Sequence, residues 1–405
     1  MTLRGARILL VLPQLPQDPA SGAARSTRTM CEMLAAAGAE VRALATTASE
    51  RAGRTDTAGF LHELGIEATV HRGHTAARTR PELAFTDRGI HYHLLDVGPR
   101  NMISWQRVVG AQFDKLFDQE LHSFRPDLLL AFGGLPDEIR RYERARRQCT
   151  KVIFSLRNLA YANDSGLLRA VDGIITPSQF LTDFYLTGIG VESTPLPLPM
   201  EMDDVVAPSR EPIFFTMINP SPEKGLVVVA RLAEELGLRH PDIPLLIVES
   251  RGSAGRLVQS GLAAGFDLRR HENIMMSPAM AQPKDIYAAT RVLLAPSVWQ
   301  EPAGRVAAEA MLNGIPPLVS DRGGLAEICN GAGFYLPLPP ELTPRQTFPV
   351  SPEVVEPWLE LIHQLATDED VYSEESARAL EASTIYRPAN LAPRYVEYFL
   401  HVLDS

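Results

Sequence analysis

A lysine and two glutamates carry the chemistry that this sequence offers. Glu301 and Glu309, separated by seven residues, lie in the stretch LLAPSVWQEPAGRVAAEAMLNGIPPLVSDRGGLAEICNGAG from Leu293 to Gly333. On one continuous helix they would stand about 12 Å apart along the axis, whereas carboxylates that flank one scissile bond lie about 5–9.5 Å apart. The pair therefore suits the two ends of a long ligand. Lys224 sits in Ser221-Pro-Glu-Lys-Gly225, between an expected strand and an expected helix. Only four of the 39 basic residues are lysines, and a compact ammonium suits a cluster of phosphate oxygens. Taken singly, these are a solvated lysine and two glutamates on a surface helix. Together with the glycine pair Gly323-Gly324 they sit on loops that a strand–helix repeat would gather.

Those loops need elements to hold them. Short apolar runs alternate with amphipathic segments along the whole chain, which predicts parallel sheets covered by helices on both faces. Strands are expected at Arg7–Leu12, Val41–Ala45, Asp127–Phe132, Lys151–Leu156 and Gly173–Thr176, with helices at Arg25–Ala37 and Ser104–Phe124. Thr194–Met202 then places three prolines in five positions, a linker composition. The pattern restarts with strands at Pro212–Met217, Leu245–Glu249, Asn273–Met276, Val292–Leu294 and Pro317–Ser320, and a helix at Gly225–Gly237. Tyr395–Leu403 reads as a last short helix. The expected division is residues 1–205, 206–385 and a C-terminal segment 386–405. Within it, the loop Pro296–Glu301 delivers Glu301 to a strand's carboxyl edge. Pro302 would open the following helix, which Gly314 ends, leaving the N–H groups of Ala303, Gly304 and Arg305 as an anion site.

Composition excludes several classes. With 39 basic and 49 acidic residues the net charge is −10, a poor match to nucleic acid. Residues 1–205 carry net −1 and residues 206–405 net −9. Arg140, Arg141, Arg144, Arg146 and Arg147 form a basic helical stripe, read as a solvated face, with peripheral membrane contact as the alternative. Cys31, Cys149 and Cys329 are scattered and read as buried thiols of a reducing compartment. His71-x-x-His74 and His91-x-His93 lack acidic or cysteine partners at ligand spacing, so no metal is expected. Gly331-Ala-Gly333 and Gly188-Ile-Gly190 lack the third glycine of a dinucleotide fingerprint. The run Ile8–Leu12 is too short for a signal-peptide core, and a cytoplasmic protein is expected.

The Glu301/Glu309 element, the run GIPPLVSDRGGLAE and the Pro-Glu-Lys-Gly turn resemble, in order and spacing, the retaining glycosyltransferases of family 4. The resemblance is close from about 212 to 335. It implies the GT-B fold: two doubly wound Rossmann-like domains facing each other across a cleft, with the last helix returning to the first. It further implies that Glu309 binds the ribose of a nucleotide sugar, expected to be a UDP-sugar, and that Glu301 holds the donor sugar. Lys224 and the amides of Ala303, Gly304 and Arg305 would stabilise the departing diphosphate without a metal. The backbone near Ala279 and Met280 would meet the base. Gly22, in the loop after the first strand, and the turn at Gly323 and Gly324 would let the chain approach closely. The acceptor would be a hydroxyl on a small molecule, lipid or glycan, and no separate cofactor is implied. The family commonly has an arginine where this chain has Asn219; Arg251 or Arg157 could replace it. A histidine often stands where this chain has Arg157, which could neutralise phosphate but not act as a base. An epimerase of the same architecture and a non-catalytic binding protein are the alternative readings.

Overall fold

The computed structural model describes residues 2–19, 21–49, 56–71, 79–100, 104–163, 165–280, 282–345 and 349–405. The chain forms two compact units, residues 1–177, 181–199 and 388–405, and residues 178–180 and 200–387. The changeover lies at 199/200, within the proline-rich segment, not at 205/206.

The first unit is built on nine strands: β1 (Arg7–Leu12), β2 (Glu40–Thr46), β3 (Thr69–His71), β4 (Glu82–Asp87), β5 (Ile90–Leu95), β6 (Leu128–Ala131), β7 (Lys151–Ser155), β8 (Gly173–Thr176) and β9 (Thr194–Pro195). Their spatial order is β3-β4-β5-β2-β1-β6-β7-β8-β9, parallel except that β4 opposes both neighbours. The β4–β5 hairpin escaped the sequence reading. Its two-residue turn, Arg88-Gly89, has both φ angles positive (47° and 79°), the geometry that matches strand twist. Phe85 and Tyr92 stack across it at 4.8 Å. Ile8, Leu10, Val41, Leu128 and Ile153 pack with Leu391, Tyr395 and Phe399 of the helix Pro388–Asp404, so the C-terminal helix belongs to this core. Tyr395 also donates its hydroxyl hydrogen to the Pro197 carbonyl at 3.0 Å.

The second unit holds β10 (Phe214–Ile218), β11 (Leu245–Val248), β12 (Ile274–Ser277), β13 (Thr290–Ala295), β14 (Pro317–Ser320) and β15 (Phe334–Leu336). All are parallel, in the order β12-β11-β10-β13-β14-β15. Strand succession therefore reverses between β10 and β13, which leaves a crevice at their carboxyl ends. The first sheet reverses in the same way between β1 and β6. Phe215, Met217, Ile247, Leu294, Leu318 and Trp358 fill the second core.

Several expectations need correction. The first helix runs Gly22–Ala36, three residues earlier than expected, because Ser21 caps it by accepting from the Ala24 N–H. Cys149 is exposed; only Cys31 and Cys329 are buried, and burial pushes both thiols up to about 12. The arginine stripe is not one solvated face. On the helix Pro136–Arg147, Arg141 is 1% exposed and donates to Asp114 at 2.9 Å, and Arg144 reaches the same carboxylate at 2.7 Å. Both guanidinium groups lie over aromatic rings, Phe113 and Phe117. The candidate metal histidines have other partners: His91 bonds Thr86 and His93 bonds Glu82. His74 lies outside the described residues. No described helix is long and apolar enough to cross a membrane.

His93 supplies a pH dependence. Glu120, 3.6 Å from its Nδ1, raises its pKa above the ordinary value; burial pulls the other way, and Glu82, 2.9 Å from Nε2, raises it again. A histidine whose folded pKa is raised stabilises the fold fully below its unfolded pKa and loses that contribution as pH rises through the folded value. Urea unfolding followed from pH 5 to 9 is expected to show stability falling above about pH 6.5, with His93→Gln flattening that part of the curve.

Candidate functional site

The two loops that flank the second sheet's reversal are held together backbone to backbone. After β10 the chain passes through Asn219, at φ 66°, into a single turn at Pro222–Lys224 and then the helix Leu226–Arg239. After β13 comes Pro296–Glu301. The Val298 and Trp299 N–H groups both donate to the Glu223 carbonyl, at 3.1 and 3.2 Å. Gly225, at φ 85°, sits so close that a Cβ there would lie 1.9 Å from the Pro296 carbonyl oxygen. This contact brings Lys224 Nζ to 2.5 Å from Glu301 Oε1, and Ser297 Oγ donates to the same oxygen at 2.6 Å. The Glu301 side chain is 7% exposed and that of Lys224 25%. A buried carboxylate is tolerable when paired and hydrogen-bonded in this way. The loop after β14 adds a third clamp. Glu301 pairs with Gly323, and the Gly324 N–H donates to the Glu301 carbonyl at 2.7 Å. A Cβ on Gly323, at φ 63°, would approach that oxygen to 2.3 Å.

Glu301 and Glu309 do not share a helix. The helix spans Arg305–Met311, entered through Gly304 in the left-handed region. Pro302 and Ala303 remain outside it, because Glu301 is extended against Gly323. Glu309 is buried; its Oε2 accepts from Tyr287 Oη at 2.8 Å and its Oε1 from Arg305 Nε at 2.6 Å. Arg305 also donates to Glu201. Burial opposes the Arg305 charge, but Glu201 and then Glu309 outweigh it and raise the pKa beyond the ordinary arginine value. Asn313 Nδ2 secures the network by donating to the carbonyls of Glu309 (2.9 Å) and Val205 (3.0 Å). Arg305 was singled out for its backbone N–H; its side chain is the fork between two acids.

The other candidate residues divide between the units. Asn219 Oδ1 accepts from the Gly252 N–H at 2.7 Å, so it ties down the loop bearing Arg251. Ala279 and Met280 follow β12 at the same carboxyl edge, and Met280 is exposed. Gly22 and Arg157 belong to the first unit. Gly22 is the first helical residue, not a loop residue, and Ser26 Oγ donates to its carbonyl at 2.7 Å. Arg157 donates to Ser155 Oγ at 2.7 Å and also to Ser26 Oγ. Ser297, Tyr287 and Glu201 were not anticipated. Ser297 had a signal, its place four residues before Glu301 on the same loop; Tyr287 and Glu201 had none. Among the described residues no three His, Cys, Asp or Glu side chains gather to hold a metal ion.

Residues 200–335 match the family Glycosyl transferases group 1. Spore coat protein SA of Bacillus subtilis is 29% identical over 112 residues, 26% of this chain and 29% of that protein's length. The curated relative is thus matched over less than a third of its length. Over the whole chain, the sucrose-phosphate synthase of Thermosynechococcus elongatus superposes with a TM-score of 0.67 at 16% identity, covering 98% of this chain and 99% of that one. Anabaena HepE in complex with UDP-glucose superposes with a TM-score of 0.65 at 14% identity, covering 97% and 99%. The fold is GT-B.

Arg305→Met would remove the guanidinium that bridges the buried carboxylates of Glu201 and Glu309. Urea unfolding at pH 7 is expected to show a loss of about 3–5 kcal/mol.

Proposed function

We propose that this chain is a retaining glycosyltransferase of family 4 that moves a sugar from a nucleoside diphosphate, UDP in the first instance, to a hydroxyl of an acceptor without a metal ion. The observation that carries the reading is the Lys224–Glu301 contact at the crevice of the second sheet, 2.5 Å long, inside the stretch that matches group 1 glycosyl transferases. A Lys ammonium has three donors, so one engaged by Glu301 leaves others for phosphate oxygens. In this reading the bond from the anomeric carbon to the β-phosphate oxygen breaks, negative charge builds on the diphosphate, and Lys224 with the amides of Ala303, Gly304 and Arg305 stabilises it. Such donors act before the charge appears, so they lower the barrier without reorganising. Glu301 holds sugar hydroxyls at the reacting carbon, and Glu309, fixed by Arg305 and Tyr287, accepts from the ribose hydroxyls. The residues Ala279 and Met280 lie against the base. The acceptor oxygen bonds to the anomeric carbon from the face of the departing group, which retains configuration, and its proton passes to the departing phosphate oxygen. That HepE is known in complex with UDP-glucose supports UDP as the nucleotide to try first.

One observation favours a second reading. Asn219 spends its side chain on Gly252, so no cation stands at that position. A protein that binds a sugar nucleotide without transferring the sugar would fit a weakened phosphate site.

A thermal-shift screen of UDP, GDP, ADP and their sugars is expected to give stabilisation by one nucleotide and its sugar, since binding to the folded state raises the melting temperature. Glu309→Ala is expected to weaken that nucleotide by about 1–3 kcal/mol in calorimetry. Lys224→Ala is expected to lower kcat by about 100-fold or more with a much smaller change in KM. A mutant that turns over normally contradicts the role of Lys224, and binding without turnover in the wild type selects the second reading.

A further inference from the structure

The ammonium of Lys224 and the carboxylate of Glu301 cancel in formal charge, yet the proposed leaving group is a diphosphate, which is multiply anionic. Stabilising it calls for a further cation aimed at the same place. Arg305 lies between Glu201 and Glu309, and Arg322 donates to the carbonyls of Leu338 and Pro339, each at 2.8 Å. Arg157 belongs to the first unit, where it donates to the hydroxyls of Ser155 and Ser26. Arg251 is different. It is exposed, on the loop between β11 and the helix Ala254–Ala263.

That loop is fastened to the one that carries Lys224. Asn219 Oδ1 accepts from the Gly252 N–H at 2.7 Å. A Cβ on Gly252 would lie 2.2 Å from the Pro220 carbonyl oxygen and 2.6 Å from the Ser221 nitrogen, so only glycine lets the two backbones meet. Glu249 Oε1 accepts from the Ala254 N–H at 2.7 Å and closes the loop on itself. Ser221 in turn begins the turn of Lys224, its carbonyl accepting the Lys224 N–H at 3.0 Å. Arg251 therefore adjoins the residue that presses on Pro220 and Ser221, within one turn of Lys224. Asn219 can make the link because asparagine, unlike most residues, tolerates its φ of 66°.

We infer that Arg251 is the second cation of the diphosphate site, and that Asn219 is its positioning residue, acting through Gly252. The inference rests on the glycosyltransferase reading, since it takes the ligand to be a nucleoside diphosphate. A guanidinium can meet two phosphate oxygens at once with its planar fork, where Lys224 acts as a point charge. The fixed loop leaves only side-chain rotation between the exposed Arg251 and a bound phosphate, which keeps the ordering cost small. The commitment of Asn219 to Gly252 then holds a cation at the site and does not weaken it. Transfer, and not binding alone, is the expected outcome.

The full chain is tested in EDTA, by calorimetry with UDP, GDP, ADP and inorganic pyrophosphate, and by saturation-transfer NMR with the corresponding nucleosides. Arg251→Gln is expected to weaken the nucleoside diphosphate that binds by about tenfold or more and to leave its nucleoside unchanged. Arg251→Lys keeps the charge without the fork and is expected to recover part of the loss. Arg256→Gln removes the next cation along the chain, exposed on the following helix, and is expected to change no affinity. Asn219→Gly keeps the left-handed turn without the side-chain acceptor. It is expected to weaken the same diphosphate, and to cause no further loss when Arg251→Gln is already present; a merely structural role would add its loss in full. Unchanged diphosphate affinity in Arg251→Gln, an equal loss for the nucleoside, or a loss in Arg256→Gln in its place overturns the inference. Additive losses overturn the part given to Asn219. Should Arg251→Gln fail to fold, Arg251→Met is read by the same measurements. If the wild type binds pyrophosphate but no nucleotide, the glycosyltransferase reading fails and the pyrophosphate affinity of Arg251→Gln judges Arg251. If it binds no probe, both fall.

Discussion

The reversal of strand succession between β10 and β13 is the constraint on which the second unit's site depends. It makes spatial neighbours of two loops 77 residues apart and turns both toward the carboxyl edge of one sheet. Neighbouring loops need not touch, and here glycine decides that they do. Gly225 removes the Cβ that would strike Pro296, and Gly323 removes the one that would strike Glu301. With the backbones in contact, an ammonium and a carboxylate meet at a crevice that is only partly closed to water. Each is the other's partner here, and each is in place to exchange that partner for a phosphate oxygen or a sugar hydroxyl.

The same unit handles its second acid differently. Glu309 is removed from water almost completely, and a buried carboxylate needs partners. Arg305 stands between Glu309 and Glu201, and Tyr287 fixes the other oxygen. The carboxylate is thus pre-oriented by groups that are themselves buried and bonded, the condition under which a polar group can recognise a ligand without first reorganising. Asn219 shows the converse. A side chain that could have faced a ligand is committed to the Gly252 N–H, and the loop it stabilises carries Arg251.

Much of this was legible in the sequence because the second unit's signals are local. Buried parallel strands write themselves as continuous apolar runs, and the Pro-Glu-Lys-Gly turn and the Glu301/Glu309 stretch announce the loops between them. What was not legible depends on non-local contacts. The helix after Glu301 starts at Arg305 because Glu301 is extended against Gly323, a pairing that no spacing rule reveals. Arg141 appeared to be one of five solvated arginines because Asp114 and Phe113, which draw it inward, lie on another helix. The β4–β5 hairpin has a readable sign, alternation on either side of Arg88-Gly89.

Crystals of the full chain grown with UDP-glucose would test the central claim most directly. The account predicts a diphosphate within hydrogen-bonding distance of Lys224 Nζ, with the ribose against Glu309. A nucleotide bound elsewhere on the chain, with the Lys224–Glu301 contact undisturbed, would contradict it.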